Sequence, residues 1–414
     1  MENVILQIKY RNIDIHKIKI FVLLIIIIVI SDDSLWFGTN KDQRFITLKY
    51  AILILTTFFI WIKHIKSLTL RVSYASCLCA IMCCFVIVCA FVNNDIRVGY
   101  FYKCILLFLA YEFTSTIRLD EMGQLYEKIL LLFTTISLFG MLLVVVARPF
   151  LSILPIFVNS ANSTFYNGFL FMIYIGNNIY RDYGIFREPG VFQIYIIIAF
   201  IFHIYYSNPV KISHIIIYVL GVLLTFSTTG YIALVPVLIL YFINDNKRVN
   251  NKKKIIVEIL LIFGLIYLAT QTTLLSGNGV VFDKFENTKR YTTIARFASM
   301  TSNFEIWLNH PFFGAGLDNV SKLFPILTGI KYGFASEHNT NTFMNELATY
   351  GIFYTSIFIY GYIKFSEKIA NSRIEQILII FTFILLFCGE RLTFSPIVYI
   401  LLFYGLKKEV PSYE

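Results

Sequence analysis

Residues 190–254 read GVFQIYIIIAFIFHIYYSNPVKISHIIIYVLGVLLTFSTTGYIALVPVLILYFINDNKRVNNKKK: three apolar runs in succession, then a cluster of cations. The runs at 190–206, 212–226 and 228–243 are parted only by short polar connections. Each approaches the roughly 20 residues with which a helix crosses hydrocarbon. Lys247, Arg248, Lys252, Lys253 and Lys254 then break the pattern. Five cations in a short loop resist transfer across a membrane, so this loop reads as cytoplasmic.

The pattern extends outward in both directions. Of 414 residues 57% are hydrophobic and 14% charged, and the mean hydropathy is +0.71, values that exclude a soluble domain of this length. The chain reads as an all-α, polytopic membrane protein, a single integral membrane domain over 1–414, with twelve spans near 17–36, 45–62, 73–92, 98–116, 126–146, 190–206, 212–226, 228–243, 255–275, 344–363, 375–389 and 392–406. The first run follows Lys9, Arg11, Lys17 and Lys19 and leads into Ser31-Asp32-Asp33 without a small-residue cleavage pattern, so it reads as an uncleaved span. With the N- and C-termini cytoplasmic, the short outer loops hold only Lys41, Arg44, Arg97 and Arg391. The net charge of +10 is thus explained by membrane topology, with no basic patch for nucleic acid.

Two long connections, 147–189 and 276–343, then lie outside. The first contains an apolar piece at 165–176, too short for a span, expected to be re-entrant or interfacial. The second contains an amphipathic helix expected to lie against the membrane surface. Phe297, Met300, Phe304, Trp307 and Leu308 form its apolar arc; Arg296, Ser299, Ser302, Asn303, Glu305 and Asn309 form the polar one. Pro311 ends this helix, and Gly314 and Gly316 let the chain turn.

Candidate chemistry gathers on these loops. Arg187 and Glu188 precede the span at 190, either as a neutralised pair anchoring a helix or as an anion site beside a helix N-terminus. Arg296 is either a snorkelling residue or a second anion ligand. Arginine's planar fork matches phosphate oxygens, and His338 is suited to take a proton near neutral pH. A helix starting near His338 places His338, Thr342, Asn345 and Thr349 on one face. Ser227-Thr228-Thr229-Gly230 makes a tight turn, and Asp32-Asp33 either ends the first span or supplies acid chemistry. Five cysteines at 77, 79, 83, 84 and 89 lack metal-site spacing and read as packing residues. DxD, glycine-rich phosphate loop, HExxH and GxSxG patterns are absent, which leaves nucleotide-sugar, ATP-driven and hydrolase readings without residues.

Four stretches, in order over about 180–365, resemble the O-antigen polymerase and O-antigen ligase superfamily: FREPG at 186–190, STTG at 227–230, RFASMTSNFEIWLNHPFFGAGLDN at 296–319, and EHNT at 337–340. The third departs from the family's pattern in that its tryptophan comes only at Trp307, and the Rx10G repeat of some members is absent. The resemblance implies a Wzy-type polymerase, a GT-C-like membrane glycosyltransferase without cofactor or metal. It would join undecaprenyl-diphosphate-linked repeat units into O-antigen or capsular polysaccharide on the outer face of a bacterial inner membrane, with a chain-length regulator as partner. It implies that His338, Arg296 and Arg187 are catalytic and that Arg290, Glu188, Glu337 and Asn339 bind substrate. The alternatives are a ligase acting on lipid A core, a lipid-linked oligosaccharide transporter, and a lipid-phosphate glycosyltransferase using Asp32 or Asp33 as base.

Overall fold

Apolar residues on every side of a helix require protein or lipid all round it. In the computed structural model, which describes residues 2–67, 73–175, 180–245, 291–333 and 339–407, two such helices form the centre. The helices are α1 (Glu2–Val29), α2 (Leu35–Gly38), α3 (Gln43–Ser67), α4 (Tyr74–Val92), α5 (Val98–Thr116), α6 (Leu119–Val146), α7 (Pro189–Tyr206), α8 (Ile212–Leu224), α9 (Thr228–Asp245), α10 (Tyr291–Asn309), α11 (Gly316–Tyr332), α12 (Thr342–Ile369), α13 (Arg373–Gly389) and α14 (Pro396–Leu406). The central pair is α7, enclosed by α6, α8 and α9, and α14, enclosed by α5 and α12. Both begin with proline at their first position, where the missing donor costs nothing. Peripheral helices show large apolar side chains outward, such as Leu55, Phe58 and Phe59 on α3 and Ile87 and Phe91 on α4. A continuous exposed apolar surface of this kind suits lipid tails.

A helix occupies each expected span except 255–275, which lies outside the described residues together with the five-cation loop. Among the described residues, Arg44–Lys63, Tyr74–Val92, Leu119–Val146 and Pro189–Tyr206 are long and apolar enough to cross a membrane. Helices α8, α9 and α14 are apolar but shorter.

One feature departs from the sequence reading, and a second is decided only by the packing. The stretch 165–176 holds two strands of a three-stranded antiparallel sheet, β1 (Ile156–Val158), β2 (Thr164–Asn167) and β3 (Met172–Tyr174), where an apolar re-entrant or interfacial piece was expected. Its aromatic-rich run is too short for a spanning helix and satisfies its backbone by strand pairing, Phe165 opposite Tyr174 and Tyr166 opposite Ile173. Helix α10 is amphipathic, but its polar arc faces the protein: Ser299, Ser302 and Asn303 are fully buried, while Phe297, Met300, Phe304 and Leu308 are exposed.

The segment after α10 explains its own glycines. Pro311 follows the helix end at Asn309, and the chain then inserts against a break in α12. Gly351 there has φ 79° and ψ −175°, and Ile352 N donates to Pro311 O at 3.0 Å while Ala315 N donates to Ala348 O at 2.8 Å. A Cβ on Gly351 would stand 2.1 Å from Phe312 O, and one on Gly314 would stand 2.2 Å from Thr349 O. Two backbones touch here, so neither position admits a side chain.

Candidate functional site

The N-termini of α7, α9, α12 and α14 come together at one end of the bundle, around the turn 390–395. Thr342 Oγ1 donates to Glu390 O at 2.6 Å and accepts from Leu392 N at 3.0 Å, and Lys103 Nζ donates to Thr393 O at 2.7 Å. Glu390 is thereby fixed against the start of α7. Gly190, the second residue of that helix, makes this possible, since a Cβ there would lie 1.7 Å from Glu390 Oε1. A carboxyl group beside the free amides of a helix start is electrostatically favoured.

Four arginines surround this point. Arg187 donates from its backbone N to Asp33 O at 2.9 Å and from Nη2 to Arg391 O, while its buried Nε has no partner among the described residues. Arg296 Nη1 donates to Thr228 Oγ1 at 2.7 Å, and Arg181 Nε donates to Thr225 O at 2.9 Å. Burial, then the neighbouring Glu188, pushes the Glu390 carboxyl up to about 8 against the pull of Arg187 and Arg296. Burial also raises Asp33, although Arg187, Ser395 and Tyr195 oppose it; Tyr195 donates to Asp33 Oδ2 at 2.6 Å. Arg296 is lowered by burial. Burial works against the charge of Arg187 too, but Glu188, Asp33 and Glu390 outweigh it and hold Arg187 above its ordinary value.

Three cavities share Arg391 as a common wall. One of about 360 Å³ is lined by Arg181, Arg187, Glu188, Asn339, Thr340 and Glu390. A second, of about 240 Å³, adds Asp32, Asp33 and Tyr102. The third, of about 280 Å³, passes from Arg391, Asn345 and Thr349 to the apolar Leu317, Phe324 and Phe394. Arginine forks beside an apolar hollow fit a phosphorylated amphiphile.

Of the residues selected from sequence, Arg187, Glu188, Arg296 and Asn339 are described, and the structure brings them to this one end. Arg187 and Arg296, from separate loops, share Glu188 and Glu390 as electrostatic partners. Asn339 pairs reciprocally with Asn303 at 3.0 Å in both directions and lines two of the cavities. The Ser227–Gly230 turn joins the site through Thr228. Arg290, Glu337 and His338 lie outside the described residues. The polar face of α12 begins at Thr342, capped by Asn341 Oδ1 accepting from Met344 N at 3.0 Å, and Thr342, Asn345 and Thr349 are buried along it.

Sequence reading missed Glu390, Arg181 and the role of Arg391, which had served only as a topology marker. Adjacent opposite charges in a short turn between two apolar runs, Glu390-Arg391, repeat the Arg187-Glu188 pattern and were the available signal. It also missed Lys103, whose Nζ lies 2.7 Å from Glu346 Oε1 with both side chains fully buried and Tyr399 OH donating to the same oxygen at 2.8 Å. A single lysine in an apolar helix carries no periodic signature. No protein-family model matches the chain, and no curated protein matches it in sequence.

Proposed function

We propose that the protein is a membrane glycosyltransferase that moves a glycan from a polyprenyl diphosphate, undecaprenyl diphosphate in a bacterial inner membrane, onto a sugar hydroxyl of a second lipid-linked repeat unit. The observation that carries this reading is the convergence of Arg181, Arg187 and Arg391 on cavities that run from a charged chamber to an apolar one, with Arg296 attracted by the Glu390 and Glu188 that line the charged chamber. The twelve-span arrangement with this end facing outward, and a chain-length regulator as partner, belong to the same proposal.

In the reaction the acceptor oxygen bonds to the anomeric carbon as the bond from that carbon to the diphosphate oxygen breaks. The electron pair leaves with the diphosphate. Arginines set against it stabilise that developing charge, and their positions are fixed before the reaction by Thr228, Asp33 O and Arg391 O. The hydroxyl proton needs an acceptor. His338, next in sequence to the cavity-lining Asn339, is one candidate, and Glu390, held near 8, is a second. Glu188 and Asn339, which line the charged cavity, would contact the sugar hydroxyls.

A transporter would be favoured by ionisable residues in mid-membrane. Lys103 is the sixth residue of α5 and Glu346 the fifth of α12, so both lie within about 8 Å of the helix starts at the arginine end. They belong to the foundation of the site. The test is purified protein in lipid vesicles with synthetic prenyl-diphosphate-linked repeat units. Lengthened glycans from the wild type, lost in Arg187→Ala and Arg296→Ala and barely restored by Lys, are expected. Full turnover by both alanine variants at equal protein levels overturns the reading. Glycan analysis of a deletion strain separates polymerase, leaving single repeat units on lipid A, from ligase, leaving undecaprenyl-linked polymer and bare core.

A further inference from the structure

At the opposite end of the bundle, α6, α7 and α8 meet where Glu127, His203 and His214 turn toward one another. His203 lies in the last turn of α7, about 21 Å along the helix from Pro189. Glu127 and His203 are buried, and the His214 side chain is 21% exposed. His203 Nδ1 stands 3.1 Å and His214 Nδ1 3.0 Å from the same oxygen, Glu127 Oε1, and the Tyr218 hydroxyl donates to that oxygen at 3.0 Å. All three potential ligand atoms lie within 4.8 Å of one another.

We propose that this cluster is a binding site for a divalent metal ion of the zinc type, held by His203 Nδ1, His214 Nδ1 and the Glu127 carboxylate, with a fourth position open beside His214. The donor set of two imidazoles and one carboxylate is one that zinc takes with three protein ligands and a water. Ligand separations of 3.0 and 3.1 Å approach the roughly 3.3 Å edge of a tetrahedron with bonds of about 2.05 Å. The remaining edge, between the two imidazole nitrogens, spans no more than 4.8 Å, and closing it falls to His214, the partly exposed member.

The surroundings of His203 fit both the empty and the filled state. Its Nε2 lies 3.2 Å from Lys211 N and 3.3 Å from Lys211 O. Without an ion, Nδ1–H donates to Glu127 and Nε2 accepts from Lys211 N. With an ion on Nδ1, the proton sits on Nε2 and donates to Lys211 O, the outer bond by which metal-ligating histidines are oriented. The ion also relieves one carboxylate oxygen that otherwise receives three donors. Since the ligands come from three helices, occupancy clamps α6, α7 and α8 together. This inference is independent of the proposed glycosyl transfer.

The test is zinc binding to full-length protein in detergent after chelator treatment, with Zn²⁺ alone as the probe. Wild type is expected to bind one ion more tightly than Glu127→Gln, His203→Gln or His214→Gln by at least about a hundredfold, and to melt at a higher temperature with zinc than without. Glutamine keeps a donor toward the cluster, so melting of the metal-free variants checks their fold; His214→Asn serves if His203→Gln does not fold. Co²⁺ in place of zinc should give a d–d spectrum without a thiolate charge-transfer band, which separates this site from the seven cysteines. Equal zinc affinity in wild type and all folded variants, or a thiolate band unchanged by His214→Gln, overturns the proposal.

Discussion

Glu390→Gln isolates the electrostatics of the arginine site without assuming its chemistry. The side chain is 8% exposed, and its carboxyl titrates at about 8 against an ordinary value of 4.5. A carboxyl raised on folding keeps a proton that the unfolded chain has already released, so stability is greatest below pH 4.5 and falls as pH rises toward 8. Integrated from pH 6 to pH 9, this one group removes about 2–3 kcal/mol, a loss that glutamine cannot suffer. The assay is thermal unfolding in detergent of wild type and Glu390→Gln at both pH values. At pH 6 the variant should already melt somewhat higher, because the unfolded wild type has released the proton that the folded chain keeps; the two converge only below about pH 4.5. From pH 6 to pH 9 the gap should widen by about 2–6 °C, taking about 1–2 °C per kcal/mol for a chain of this length. Comparing the two proteins cancels Asp33 and other groups that titrate in both. Parallel loss of stability in both, or a wild type that gains stability with pH, would show that Glu390 is ionised in the folded state and that Arg187 and Arg296 neutralise it fully.

His338→Ala should lose nearly all transfer in the vesicle assay, by about a hundredfold or more, while still inserting and binding donor; unchanged turnover removes it from the mechanism and leaves Glu390. Gly351→Ala should sharply lower the yield of folded protein, because strain of about 1–3 kcal/mol is joined by a backbone clash, whereas Gly333→Ala, at φ 73° with open space around it, should cost only about 1 kcal/mol. Lys103→Met should destabilise by about 3–5 kcal/mol by stranding Glu346, and adding Glu346→Gln should recover much of that; additive losses would show that the pair is not coupled. A cysteine placed at Asn251 should resist an impermeant reagent in intact cells and one at Gly277 should react, after replacement of the native cysteines; the reverse pattern inverts the orientation.

How much of this was legible depended on whether the signal was local. The apolar runs state their own helices, and Pro311, Gly314 and Gly316 mark the end of α10 and the turn after it. Arg187 was recognisable because it sits at the edge of an apolar run, and Arg296 because it falls on the polar arc of an amphipathic helix. Which face of α10 turns inward was not legible. An amphipathic helix at a membrane can put either arc against the protein, and only the partners decide: Asn339 for Asn303, and Thr340, whose N donates to Ser299 Oγ at 3.1 Å. The small sheet escaped a reading built on helical spans, since strands of three or four residues leave little periodicity.

The glycines show most directly where sequence reasoning stops and packing begins. Gly190 reads as the last letter of FREPG, next to a proline that starts a helix. Nothing local requires it, since the backbone there is helical and would accept alanine. The requirement comes from Glu390, two hundred residues later in the chain, whose Oε1 occupies the place of the missing Cβ. The same holds for Gly351, which reads as an ordinary glycine in an apolar helix yet is where the 311–316 segment meets α12. Gly190→Ala should therefore leave α7 intact and push the Glu390 carboxyl away from the helix start, at a cost of about 1–3 kcal/mol if the glutamate cannot swing aside. If the carboxyl moves toward water, its titration should fall from about 8 toward the ordinary range. The pH-dependent melting gap between this variant and its Glu390→Gln double should then shrink. A gap as wide as that between Glu390→Gln and the otherwise wild-type chain would show that Gly190 does not set the position of Glu390.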